Sequence, residues 1–436
     1  VTDDTPPKPS HVPSNPWDAA RDPDAVETYS PNRSGSHTPQ NVVLDEGVRA
    51  LQGGFIGRRG RVFWLSVRTS ILTILTLGIY RFWMKTRLRR WYWSSVRLDG
   101  TPGEYVGDPL EKLLGFLIAV VFLAFYIGVV NLLLMFASFS LFQGNFAAYL
   151  LSFVGVVPLW FYASYRARRY VLARTRWRGI RFGLEPGAWG YAWRALVHWG
   201  LSILSLGILW PRMVFWLEKY RTDRTWFGDQ KFEQSGKWTT LYHPLRHLFL
   251  LALAGGVLAG LVALGVEAAG LAILAFPIWL VYAVAFYRAR TWQRLTSLKQ
   301  AGSIRFQAAP RVWRVFWIYT LGYGLTSLAS SVLLVPIGLV FARFFSIFPE
   351  ISLNAFTLDD IPRGALIVLG VVSYFSMFLI WSSMRHAFVT MPLWRHFAET
   401  LTVLDPDAID GISQRPRDDS SQAEGFAEAL DVGAAI

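Results

Sequence analysis

Leu113-Leu114-Gly115-Phe116-Leu117-Ile118-Ala119-Val120-Val121-Phe122 opens a run, residues 113–165, of 53 residues without one Asp, Glu, Lys or Arg. A bilayer core of roughly 30 Å needs about 20 apolar helical residues, so this run predicts two spans and the turn between them. Residues 248–287, interrupted only by Glu267, read the same way, as do 315–342 and 364–384. Six spans follow: about 113–136, 147–165, 248–265, 269–287, 315–342 and 364–384. The chain of 436 residues is 53% hydrophobic, only 17% charged, and has no cysteine. A soluble domain is about a quarter charged, so a single soluble globule is excluded. Without cysteine, a disulfide scaffold and a thiolate metal site are excluded too. The expected fold class is an all-α integral membrane protein with six to eight apolar helices in repeated hairpin modules.

Charge sets the expected topology. The formal net charge is +13, yet the first fifty residues carry −4 and residues 405–436 carry −6, which leaves +23 on residues 51–404. The turns 138–147, 265–270 and 344–362 hold no Lys or Arg, whereas 81–112, 166–194, 212–246 and 288–314 hold seven, eight, seven and seven. Cytoplasmic loops accumulate Lys and Arg, so the basic linkers and both termini are expected inside and the three bare turns outside. Residues 1–52, rich in proline, and the acidic residues 405–436 are expected to be disordered tails.

Two apolar segments, 62–80 and 196–212, are too short to fit this scheme as spans. Only 12 residues, 69–80, lie uncharged between Arg68 and Arg81. Twelve helical residues reach about 18 Å. Re-entrant or interfacial helices are therefore expected, with eight full spans as the rival.

The short segments echo each other. Leu75-Thr76-Leu77-Gly78-Ile79 is answered by Leu204-Ser205-Leu206-Gly207-Ile208, Tyr165-Arg166-Ala167-Arg168 by Tyr287-Arg288-Ala289-Arg290, and Ile180-Arg181-Phe182 by Ile304-Arg305-Phe306. A duplicated membrane module is expected, with copies over 53–190 and 191–312 and a degenerate third over 313–404. Around Asp99-Gly100 and Gly228-Asp229, short alternating runs predict small β-hairpins in the linkers.

Leu75-Thr76-Leu77-Gly78-Ile79-Tyr80-Arg81-Phe82-Trp83, Arg97-Leu98-Asp99-Gly100, Glu104-Tyr105 with Gly107, and Arg174-Thr175-Arg176-Trp177-Arg178-Gly179-Ile180-Arg181-Phe182 resemble the YjgN-like family of bacterial inner-membrane proteins (domain of unknown function 898). The resemblance covers residues 53–400 and is weakest in the final third. It implies a multi-pass protein of the bacterial cytoplasmic membrane. It transfers no catalytic residue, because the family has no known function.

The residues themselves offer no catalytic motif, and no enzyme activity or cofactor is expected. His243 and His247 share a helix face, but no carboxylate follows to complete a metal site. The positive signal is arginine interleaved with aromatic rings. Arg174, Arg176, Trp177, Arg178 and Arg181, with Arg87, Arg89 and Arg90, are the expected contacts for anionic lipid or a protein partner at the cytoplasmic face. A nucleic-acid partner is not expected for a surface lying against lipid, and a homo-oligomer is compatible with the sequence. The alternative is a small-molecule transporter or channel, for which Arg68, Asn131 and His198 are the intramembrane polar candidates.

Overall fold

The structure is a computed structural model that describes residues 50–142, 146–266, 275–338, 352–353, 356–357 and 362–415. Ten short antiparallel strands close into a barrel, so the chain is not all-α. In chain order these are β1 (Ala50–Phe55), β2 (Val96–Leu98), β3 (Thr101–Tyr105), β4 (Thr175–Trp177), β5 (Ile180–Leu184), β6 (Thr225–Phe227), β7 (Gln230–Gln234), β8 (Lys299–Ala301) and β9 (Ile304–Ala308). Two small strands apart from the barrel, β10 (Ser352–Leu353) and β11 (Phe356–Thr357), precede the tenth barrel strand, β12 (Leu401–Leu404).

Hairpins do turn at Asp99-Gly100 and Gly228-Asp229, but they are not isolated in separate linkers. Asp99 and Gly100 take φ of 52° and 71°, and Arg178 and Gly179 take 50° and 77°. Two positive φ values in succession match the twist of a two-residue hairpin. Each lone hairpin would expose two unpaired edges, and pairing with its neighbours removes them all. Thus β3 joins β4, β5 joins β6 and β7 joins β8, while β12 lies between β9 and β1.

Alternation along the strands fills the barrel. Leu51, Trp177, Phe227, Ala301, Ile304 and Val403 are buried there, with Ile180, Phe182, Phe232 and Phe306 packed on them. In both Ile180-Arg181-Phe182 and Ile304-Arg305-Phe306, the period of two sends the apolar pair inward and the arginine to the other face. One rim carries the tight turns. There the segment after β12 lies across the mouth, with Ile409 and Ile412 in the same core.

The other rim launches five helical excursions, each returning to the neighbouring strand. The pairs are α1 (Arg59–Leu75) with α2 (Arg81–Ser95), α3 (Pro109–Phe142) with α4 (Phe146–Ala173), α5 (Ala188–Leu204) with α6 (Trp210–Thr222), and α7 (Tyr242–Ala263) with α8 (Phe276–Ser297). The fifth is α9 (Val312–Ser331), α10 (Arg363–Arg385) and α11 (Met391–Glu399), the last two joined by a π turn at His386–Thr390. Neighbouring helices pack in sequence, the step from α6 to α7 passing through the turn Trp238–Leu241, and α10 packs on α1 to close a ring. Ala167 and Ala289, from the two Tyr-Arg-Ala-Arg strings, are fully buried, which lets their helices approach closely.

Three stretches among the described residues are long and apolar enough to cross a membrane: Pro109–Ala137, Trp238–Ala263 and Ile367–Glu399. That corrects the expected six to eight; the expected span 147–165 lies within α4, while residues 269–274 and 339–342 of the expected spans 269–287 and 315–342 fall outside the described residues. The tail boundaries also move. Ala50, Leu51 and Gln52 belong to β1, and residues 405–415 lie folded on the turn rim; residues 1–49 and 416–436 fall outside the described residues.

The closing seam is sterically tight. A Cβ at Gly53 would collide with the backbone carbonyl oxygen of Ala398, whereas at Gly54 its nearest neighbour would be 3.9 Å away. Overpacking typically costs about 1–3 kcal/mol. Gly53→Ala should therefore lower the thermal unfolding temperature of the purified protein clearly, and Gly54→Ala should leave it nearly unchanged.

Candidate functional site

The β4–β5 hairpin carries Arg176, Arg178 and Arg181, with Arg174 just before it, and strand geometry sorts them. Arg176 and Arg181 stand directly opposite each other, while Trp177 pairs with Ile180 and enters the barrel core. Like charges placed directly opposite destabilise a sheet. Glu104 on β3 faces Arg176 from the other side.

Around this pair lies a cleft of about 320 Å³. Its lining includes Arg169 and Arg174 from the end of α4, Arg176, Arg181, Trp226, and Gln414 with Arg415 from the segment crossing the turn rim. Among the described residues, five arginines meet one carboxylate there, Glu111. That carboxylate is already engaged, since one Arg174 nitrogen donates to both its oxygens at 2.6 and 2.8 Å. Burial lowers the affinity of Arg174 for its proton, but the Glu111 bond outweighs it and the net shift is upward.

The remaining arginines are held in place from behind. Arg169 donates through Nε to the Leu184 carbonyl at 3.0 Å, and the Arg415 guanidinium lies 4.7 Å from the Trp226 ring centre. The Arg181 backbone N–H donates to Gln414 Oε1 at 2.9 Å. Arg176 Nε is buried and has no hydrogen-bond partner among the described residues. Guanidinium groups converging on one cleft suit phosphate, because each planar fork can donate two parallel hydrogen bonds.

The expected contact set therefore divides. Arg174, Arg176 and Arg181 share the cleft. Arg178 sits at the turn rim, bridging Asp99 at 2.9 Å and Asp410 at 3.0 Å. Arg89 is buried in α2 and donates to the Tyr105 hydroxyl at 3.3 Å. Arg90 donates to the Gly107 carbonyl at 3.0 Å, and Arg87 lies over the Tyr80 ring. Of the intramembrane candidates, Arg68 is exposed on α1 and His198 half-buried on α5. Asn131 lies on α3, its side chain outside the described residues. No pair of these three comes together in either cleft described here. His243 and His247 pack against the Phe286 ring.

Sequence reasoning missed Arg169, Glu111, Gln414 and Arg415. Arg415 carried one signal: it is one of two basic residues in an otherwise acidic stretch from 405 to 436.

A second ionic cluster provides a contrast. Glu218 on α6 meets Lys299 Nζ at 2.6 Å, Arg221 at 2.7 Å and Arg168 at 3.8 Å, with 12% of its side chain exposed. Burial opposes its ionisation, yet Lys299, Arg221 and Arg168 hold the carboxyl well below its ordinary value of 4.5. This cluster holds a carboxylate at its centre, whereas in the cleft Glu111 bonds Arg174.

The fold is thus a small antiparallel barrel crowned by a ring of helices, with a basic cleft on the barrel wall. The family described as "Bacterial protein of unknown function (DUF898)" matches over residues 50–429, and the chain belongs to that family. No curated protein and no solved structure matches it.

Glu218 gives a pH test with a definite sign. A carboxyl whose folded-state value is depressed contributes stability above its ordinary value, near 4.5, and loses it as pH falls toward the depressed value. Removing one partner of a buried ion pair costs about 3–5 kcal/mol. Glu218→Gln should unfold at markedly lower temperature at pH 7, and the gap from wild type should narrow as pH falls below 4.5.

Proposed function

We propose that this is a multi-pass protein of the bacterial cytoplasmic membrane that binds the phosphate of an anionic lipid headgroup in the barrel-wall cleft, and that its role is binding rather than catalysis. The observation that carries the reading is the directly opposed pair Arg176 and Arg181, in a cleft whose carboxylate is already taken. An anion between them would turn a repulsive cross-strand pair into a clamp.

Membrane location is supported by the outer surface of α3. Val121, Phe125, Leu132 and Phe136 are 69%, 72%, 70% and 81% exposed. Soluble monomers rarely leave so continuous an apolar helix face to water. Basic residues concentrate in the barrel layer, which supports a cytoplasmic position for it. The α1–α2 and α5–α6 hairpins, each followed by a long pair, are read as copies of one module.

A lipid is favoured over a free anion by a second cleft of about 310 Å³ that shares Arg169 with the first. It runs between α4 and the start of α5 and is lined by Tyr162, Tyr165, Arg166 and Trp189. The basic site thus continues along a helix toward the apolar crown, as a headgroup attached to acyl chains requires.

Arg176→Gln combined with Arg181→Gln keeps polarity and removes the opposed charges. Charge-assisted hydrogen bonds are worth about 1.5–3 kcal/mol each, so anionic-lipid retention should fall at least about tenfold. Native mass spectrometry of the purified protein reads this directly, and Arg178→Gln, at the rim, should retain lipid as wild type does. Equal retention by the double variant and wild type would defeat the lipid site.

A further inference from the structure

The tips of the two short hairpins, residues 75–79 and 204–208, are built alike. Leu77 and Gly78 take φ of 50° and 95°, and Leu206 and Gly207 take 51° and 86°. A left-handed leucine is rare, since Asn, Asp and Gly take that conformation more easily. Here it holds Leu77 94% exposed and Leu206 92% exposed. Leu75 and Leu204 beside them are 73% and 83% exposed.

The turn amides are all paired within the turn itself. In the first tip the amides of Thr76, Leu77, Gly78, Ile79 and Arg81 donate to Leu72, Ile74, Thr73, Thr76 and Gly78 carbonyls, and the Tyr80 amide donates to Thr76 Oγ1. In the second tip the amides from Ser205 to Trp210 repeat the pattern, with Leu209 donating to Ser205 Oγ. A turn in water has no need to satisfy every amide internally. A turn in hydrocarbon does, because no solvent partner exists there.

We propose that both tips are immersed in the acyl-chain layer as paired re-entrant wedges, entering and leaving on the barrel side. The inference rests on the membrane location proposed above and not on the lipid site. Topology requires the return, since β1 pairs with β2 and β5 with β6 across each hairpin's base. Depth follows from tryptophans. Trp64, Trp193 and Trp317 each occupy the sixth position of a helix leaving the rim, and are 60%, 68% and 52% exposed. Exposed tryptophans at a common level mark a membrane–water interface. Trp64 precedes Leu75, and Trp193 precedes Leu204, by eleven residues, a rise of about 17 Å. That reaches roughly the middle of a 30 Å core and stops short of the far side. Arg81 and Arg212, where the chain turns back, are half-buried, so they are partly withdrawn from lipid.

The absence of cysteine makes the test direct. Leu77→Cys and Leu206→Cys proteins in proteoliposomes are exposed to a membrane-impermeant maleimide on either side, then labelled with a fluorophore in vesicles containing chain-spin-labelled lipid. Both positions should react at least about tenfold more slowly than Glu104→Cys on the barrel wall, because water is excluded from hydrocarbon, and both fluorophores should be quenched by the lipid spin labels. Fast reaction at the tips with Val121→Cys on α3 shielded overturns the wedges alone. Fast reaction at Val121→Cys as well overturns the membrane location with them. Slow reaction without quenching by lipid means that protein, such as a second copy, covers the tips, and equally overturns the proposal.

Discussion

Everything in this fold depends on the antiparallel seam between β1 and β12, where Ala50 meets Leu404 and Gln52 meets Thr402. A ring of very short strands is marginal as separate hairpins, because each would present open edges and bury little. Closure removes the edges and encloses the lumen around Trp177, Phe227 and Val403. It also constrains the helices. Once consecutive strands are neighbours in a closed ring, every excursion must end beside the strand where it began. Helices can then differ in length without altering the base, so short and long hairpins coexist on one rim.

The apolar runs were legible because span periodicity and charge are local properties. The run 113–165 is readable in any window and becomes α3 and most of α4. The barrel was not legible, for a physical reason. Strands such as Val96–Leu98 and Thr175–Trp177 are three residues long, too short for an alternating pattern to stand out. Their partners across the excursions lie tens of residues away; Tyr105 pairs with Thr175. The tight turns were visible through Asp99-Gly100 and Gly228-Asp229, but a turn does not reveal what its strands' outer edges pair with.

The site was half-legible for a related reason. Arg174, Arg176 and Arg181 were identified by residue type and density. Alternation then separates Arg176 from Trp177, and ion pairing separates Arg178 from the rest. Arg178 is held by Asp99 and Asp410, the second of which lies in a stretch expected to be disordered. A residue's availability depends on partners distant in sequence, which composition does not show. Arg169 and Arg415 reach the cleft from a helix end and from the rim segment, and no local pattern joins them.

The distribution of carboxylates explains why surplus cation gathers in the barrel layer. Residues 51–404 hold a net charge of +23. Five acids near the strands have cationic partners: Asp99 with Arg178, Glu111 with Arg174, Glu185 with Lys231, Asp223 with Lys219, and Glu218 with three cations. An ion pair removes charge equally from both sides, so these pairs leave the net excess untouched. They determine only where it is found. Around Glu218 the cations hold a carboxylate at their centre, and on the β4–β5 wall Arg176 faces Arg181. The fold thus holds its cations around its own acids at the helix junctions and sets two arginines side by side on one wall of the barrel.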